Sequence, residues 1–368
     1  MPKIRKWLRQ IFRDTQEEKA GRKGSDPAVP PLPLLPATRK HILTPTSSLE
    51  NLTPLIQPNG PFFERLPPEL RRQIYLATFG DRTIHLDLRQ ERPRLVETPK
   101  APTHAQVSED GGERNRKTGG RWVWWSSVCH RHPMAPAWAD QCQLGSSRRM
   151  CDTFYAGQWP GKCFLGIMGW ILACRQSYIE AIDLPYRANT IHISGITLTR
   201  HLNSMLPSQR LANISSLELV WNLLDHGPRE AVGRPEGSMA VYEELMATIV
   251  TALPALTKLH IWVEARSYSS DPEARDIDLY ESGLLEPADA LVQKYGSKLI
   301  DLQLAPNLNL FTGLMRRAER KGVHVEKGGI GIASWRRFWR PVFIDRDGMV
   351  HDTAGYWVRQ GKDDTPMW

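Results

Sequence analysis

Three segments in the C-terminal half share one six-residue signature, apolar-x-x-apolar-x-apolar: Ile214, Leu217 and Leu219; Leu256, Leu259 and Ile261; Leu299, Leu302 and Leu304. Their first residues lie 42 and 43 positions apart. Apolar residues alternating with a period of two build one face of a strand. A stretch of helical character follows each signature, at residues 242–253, 287–295 and 311–320. Strand then helix at a constant period predicts right-handed β-α units with parallel strands, and three units are about the smallest stack that buries a shared core. Residues 83–88 and 190–193 share a Thr-Ile-His core with strand alternation and are expected in the same sheet, His85 and His192 marking its other face. A further strand is expected at 323–325. Val342, Phe343 and Ile344, a turn at Asp347-Gly348, and Met349 to His351 then predict a C-terminal β-hairpin, with 356–358 as a third strand. The expected fold class is α/β (α+β), a sheet of mostly parallel β-α units. Its signature is similar to that of leucine-rich repeats, with a longer period and no asparagine position.

Charge decides less than it first suggests. The 368 residues carry a net charge of +8, but residues 1–24 hold eight Lys/Arg against three Asp/Glu. That leaves +3 on the remaining 344 residues, so the basic character belongs to the tail rather than to a binding groove. In the tail, Ile4, Trp7, Leu8, Ile11 and Phe12 line one helical face, with Lys3, Arg5, Lys6, Arg9 and Arg13 opposite. Such a helix fits a peripheral membrane surface through residues 3–13, a presequence or a docking segment. Pro27, Pro30, Pro31, Pro33 and Pro36 then mark a Pro-rich linker. The expected organisation is a basic amphipathic helix at 1–23, a disordered linker at 24–60, an α/β domain at 61–340 with a loop-rich insert at 89–165, and a hairpin and tail at 341–368. No run of eighteen apolar residues and no signal-type apolar segment occurs, so the five cysteines read as reduced thiols of a cytoplasmic or nuclear protein.

The folded part opens at Phe62-Phe63-Glu64-Arg65-Leu66-Pro67-Pro68-Glu69-Leu70, continuing to Ile74 and Tyr75. Proline in a first helical turn is harmless because its missing N–H has no partner there. The spacing places Leu66, Leu70, Ile74 and Tyr75 on one helical face. A second apolar helix is expected at 170–182, through Ile171, Cys174, Tyr178 and Ile182. Together with Trp124-Trp125-Ser126-Ser127-Val128-Cys129-His130-Arg131, these segments resemble a family of uncharacterised, F-box-like proteins of filamentous ascomycete fungi, a domain of unknown function. The resemblance spans about residues 60–225. It implies F-box-like helices leading into the sheet, a protein partner (a cullin-ligase linker subunit among them), and Leu66, Pro67, Glu69, Leu70 and Ile74 as partner-binding residues.

The insert collects Cys129, His130, His132, Cys142, Cys151 and Cys163, residue types that ligate zinc. No Cys-x-x-Cys occurs, and gaps of 12, 8 and 11 residues between the cysteines match no standard zinc knuckle, so thiols without a cofactor are the default reading. Trp122, Trp124 and Trp125 among Arg114, Arg116, Lys117 and Arg121 fit base stacking, but Asp110 and Glu113 dilute the charge, which disfavours nucleic acid there. A second basic-aromatic run, Trp335 to Arg340, fits either a partner site or a clasp on the last repeat. No phosphate-loop, nucleophile-elbow or metalloprotease motif appears. The sequence thus points to a non-enzymatic interaction scaffold. The alternatives are a zinc-containing or nucleic-acid-binding module in the insert, or an enzyme without a recognisable motif.

Overall fold

Why the three signatures fall into step is visible in the strand register. The computed structural model describes residues 30–36, 60–91, 121–131, 163–223, 235–264, 274–329, 335–346 and 349–362. Two helices open the fold, α1 (Pro61–Arg65) and α2 (Pro68–Phe79), before β1 (Thr83–Glu91) and β2 (Arg121–Val128). Helices α3 (Ile167–Ile171), α4 (Arg175–Ala181) and α5 (Leu184–Arg187) lead into β3 (Thr190–Ile193). Short helices α6 (Ile196–Arg200), α7 (Leu202–Met205) and α8 (Ser208–Leu211) connect it to β4 (Ser216–Asn222). Then come α9 (Pro235–Ala252), β5 (Lys258–Glu264), α10 (Ala274–Tyr280), a π-helical turn (Glu281–Leu285), α11 (Glu286–Tyr295), β6 (Asp301–Pro306) and α12 (Leu308–Arg320). The described chain closes with β7 (Val325–Gly328), β8 (Trp335–Arg346) and β9 (Met349–Arg359).

The strands form a nine-stranded sheet in the order β2-β1-β3-β4-β5-β6-β9-β8-β7. β1, β3, β4, β5, β6 and β9 run parallel in that sequence, and β8 is antiparallel to both its neighbours. Leu217, Leu259 and Leu302 stand side by side, as do Leu219, Ile261 and Leu304. The repeat spacing therefore becomes a register without a slip. The two Thr-Ile-His segments are direct neighbours too, Thr83 beside Thr190, Ile84 beside Ile191 and His85 beside His192. The fold is a mixed α/β one, with a mostly parallel sheet and antiparallel C-terminal strands.

One face of the sheet is apolar and buried: Leu217, Leu219, Trp221, Leu259, Ile261, Val263, Leu302 and Leu304 lose nearly all solvent contact. Fully burying such a side chain stabilises by about 1.5–3 kcal/mol. Helices cover this face. The Tyr242 ring of α9 lies 5.7 Å from Trp221, Phe311 of α12 lies 6.0 Å from Phe338, and the Tyr356 hydroxyl of β9 donates to the Leu285 carbonyl at 3.1 Å. The Tyr295 hydroxyl of α11 donates to the Leu253 carbonyl at 2.8 Å, tying α11 to α9, and burial pushes this phenol up to about 12.

Three expectations need correction. The helix expected at 170–182 is broken into α3 and α4, because Cys174 is extended (φ −161°, ψ 168°) and its Sγ accepts the Ser177 N–H at 3.4 Å as the α4 cap. Residues 356–358 are not a third strand. They are the far end of β9, paired along β8 from Arg337 onward, because both hairpin arms are longer than their apolar cores. The strand expected at 323–325 starts only at Val325. The Asp347-Gly348 turn, the helix at 1–23 and most of the linker lie outside the described residues. Within the linker, the Leu35 N–H donates to the Ser204 carbonyl at 2.8 Å.

The chain divides into two units. The smaller comprises Met1–Pro33, Arg89–Lys100 and Asp110–Val123, and in its described part the Trp122 indole N–H donates to the Pro30 carbonyl at 2.9 Å. The larger comprises Leu34–Leu88, Ala101–Glu109 and Trp124–Trp368 and holds the buried helical centre and the apolar core of the sheet.

Candidate functional site

The helices on either side of the insert meet in a helical layer. Tyr75, Phe79, Ile167, Ile171, Ala181 and Leu184 form its buried centre, with Phe62, Trp170 and Tyr178 packed against it. The Trp170 ring lies 5.0 Å from Phe62 and 5.8 Å from Tyr75, both edge-on. The helix face differs from the expectation in two respects: Leu66 is not part of α2 but ends α1 with an extended backbone, and Tyr75 lies on the side opposite Leu70 and Ile74. Residues four apart share a face, and Arg71, Tyr75 and Phe79 point inward while Leu70 and Ile74 point out. The phase is set by an ion pair that the apolar pattern does not reveal. Arg71 Nε and Nη2 donate to Glu180 of α4 at 2.9 and 2.6 Å, Arg71 Nη1 reaches the Leu66 carbonyl at 2.5 Å, and the Tyr75 hydroxyl donates to Glu180 at 2.8 Å. Burial pushes the Tyr75 phenol up, and the Glu180 carboxylate beside it adds to the shift. Burial alone would raise Glu180; the bonds from Arg71, Gln176 and Tyr75 outweigh it and hold the carboxyl below its usual range.

Tyr75 is therefore a core residue, whereas the partner-binding candidates stay accessible. Leu70 and Ile74 are 45% and 41% exposed, Pro67 and Glu69 are exposed, and Leu66, at the end of α1, is half-buried. The same layer also exposes Phe164, Met168 and Leu172.

The zinc candidates divide. His132, Cys142 and Cys151 lie outside the described residues. Cys129, His130 and Cys163 are buried. The Cys129 N–H bonds to the Thr83 carbonyl at 2.8 Å, and its sulfur accepts the Arg131 N–H at 3.4 Å. Among the described residues, no group of three or more Cys, His, Asp or Glu is arranged to hold a metal ion. Arg114, Arg116 and Lys117 are also outside the described residues, and the Trp125 ring rests 5.6 Å from His85.

The sheet's second face carries a row that sequence reasoning caught only at one end. His85, His192, Glu218, His260 and Gln303 occupy one register position across β1, β3, β4, β5 and β6. The His85 and His192 rings are 4.7 Å apart. Glu218 is the hub: His192 Nδ1 lies 3.0 Å from Oε2, His260 Nδ1 4.0 Å from Oε1, and Arg131 Nη2 donates to the two oxygens at 2.7 and 3.0 Å. Burial would raise the Glu218 pKa, but the His192 bond and the Arg131 charge reverse this and bring it down to about 2. His260 Nε2 continues the row to Asp301 at 2.9 Å; burial works against this carboxyl too, and the His260 bond keeps it low. The signal for the row was present: Glu218, His260 and Gln303 are the residues between the last two apolar positions of the three signatures. Chemically the row is a compensated one, a buried carboxylate shared by imidazole and guanidinium groups, and it fastens the segment after β2 to the sheet.

With that geometry in hand, residues 56–300 match the family described as a domain of unknown function (DUF7730). The chain belongs to this family. The DUF7730 match takes in the helical layer and the strands up to β5, and it ends just before β6. No curated protein matches the chain, and no solved structure does.

Proposed function

We propose that this DUF7730 protein is a non-enzymatic protein-interaction scaffold, its helical layer an F-box-like docking surface and its β-α sheet a leucine-rich-repeat-like support. The observation that carries the reading is the outward apolar pair Leu70 and Ile74 on a helix locked from beneath by Arg71, Tyr75 and Glu180. Neighbouring exposed apolar residues on a rigid element have the character of a hot spot, which works when it is pre-organised and rimmed by polar groups. Glu69, Arg72 and Gln73 supply that rim. The partner the resemblance implies is the linker subunit of a cullin-type ligase.

The test is isothermal titration of the full chain with a purified cullin-ligase linker subunit. Micromolar or tighter binding is expected, lost in L70E and I74E while thermal unfolding of both variants matches the parent. Absence of binding, or binding that survives both substitutions, rejects the adaptor reading.

A further inference from the structure

The basic-aromatic run from Trp335 to Arg340 is sorted by strand alternation. Phe338 is buried against α12, and Arg340 turns to the helices, where Asp289 receives it at 2.7 and 2.9 Å. Trp335, Arg337 and Trp339 take the opposite face. In register beside them stand Trp357 and Arg359 of β9, Trp339 against Trp357 and Arg337 against Arg359. Three indoles and two guanidinium groups thus share one surface near the end of the sheet.

Two details set this surface apart from an ordinary cation–π clasp. First, two of the indoles lie over glycines of the adjoining strands. A Cβ on Gly328 would meet the Trp335 ring at 2.5 Å, and one on Gly355 would meet the Trp339 ring at 2.7 Å. Only residues without a side chain let a ring approach the sheet this closely. The Trp335 ring already carries guanidinium groups, Arg337 at 5.2 Å and Arg359 at 6.0 Å from its centre, whereas the Trp339 ring keeps an open side for another planar group. Trp339 is 37% exposed. Second, the positive charge is incompletely compensated. Arg337 sits over Trp357, 3.8 Å from the ring centre, and pairs with Glu326 at 2.8 Å. Arg359, directly across the strand, is half-buried and has no carboxylate partner among the described residues. Burial and the neighbouring Arg337 both disfavour its charge. Like charges directly opposite each other in a sheet destabilise it, a cost that an anion between them removes.

Flat rings alternating with guanidinium groups on an open sheet face are what a nucleic-acid strand without a complement requires, since each base offers a π face and each link a phosphate. We propose that this surface binds single-stranded nucleic acid, with a base laid on Trp339 and phosphates held by Arg337 and Arg359, which Trp335 backs from the sheet side. An acidic peptide would satisfy the arginines but gives no reason for the rings to lie over glycine.

The experiment is fluorescence anisotropy of a labelled ten-nucleotide single-stranded RNA with the full chain, across a salt series. W339A should weaken binding on the order of tenfold, and R359Q and R337Q should each reduce the slope of log affinity against log salt by about 0.7. Circular dichroism melts of W339A and R359Q, both at partly exposed positions, check that the fold is retained. No binding at low salt overturns the proposal. So does binding unchanged in all three variants, which would assign it to the basic tail. A glutamate-rich peptide that binds as tightly as the RNA and is indifferent to W339A would overturn it in favour of a protein partner.

Discussion

Replacing Glu218 by glutamine tests how much of the fold's stability resides in the row across the sheet. The carboxylate is buried, accepts two bonds from Arg131 and lies 3.0 Å from His192. Its pKa falls from an ordinary 4.5 to about 2 on folding. At about 1.4 kcal/mol per unit, this corresponds to roughly 3 kcal/mol. The independent figure for breaking a buried ion pair from one side is about 3–5 kcal/mol. E218Q should therefore lose about 3 kcal/mol in urea unfolding at pH 7, followed by tryptophan fluorescence. The sign with pH follows from the lowered value. The unfolded state takes up the proton first, so the contribution is complete above about pH 4.5 and disappears as pH falls toward 2. The gap between parent and variant should shrink to about 1.4 kcal/mol at pH 3. A gap below about 0.5 kcal/mol at pH 7, or one that stays constant from pH 6 to pH 3, would refute the assignment of Glu218 as the hub.

Other substitutions probe separate parts. R71A leaves Glu180 without its guanidinium partner beneath α2 and should cost about 3 kcal/mol, whereas Y75F removes one bond and should cost about 1 kcal/mol; urea titrations of both, at pH 7, distinguish a locked helix from a merely packed one. Tyr242 is completely buried and its hydroxyl finds no partner among the described residues, so Y242F should be neutral or stabilising by up to about 1 kcal/mol in thermal unfolding. W221A empties a fully buried site against Tyr242 and should destabilise by about 3–5 kcal/mol, read as a shift in the urea midpoint at unchanged slope. G195A should also destabilise measurably, because a Cβ there would stand 2.6 Å from the Asp87 carboxylate oxygen that accepts the Gly195 N–H.

What the helical layer looks like shows where sequence reading stops. Leu70 and Ile74 were legible as helix-face residues because a period of four is local information. Leu66, expected on the same face, instead ends α1 with an extended backbone and is no part of α2. That Tyr75 belongs to the opposite side depends on Arg71 meeting Glu180, 109 positions further along the chain, and no local pattern encodes such a pairing. The break at Cys174 was equally hidden, since its sulfur caps α4 at a position where helical periodicity continues uninterrupted. In the hairpin, strand alternation around Trp335 to Arg340 was readable in principle. Which of its arginines finds an acid was not, because Asp289 comes from helix α11 and Glu326 from the neighbouring strand β7.

By itself the sequence determined the β-α repeat, the placing of the two Thr-Ile-His strands in one sheet, the helical entry and the apolar face of the sheet. All of these follow from short-range periodicity that hydrophobic burial converts directly into structure. Only the tertiary structure decided which polar side chains meet. The Glu218 hub and the Arg71 lock join residues separated by tens of positions, and the indoles over Gly328 and Gly355 join neighbouring strands across their connections. Hydrogen bonds and ion pairs act over a few ångströms of space, whatever the distance along the chain, so they come into being only once the apolar pattern has brought those strands and helices together.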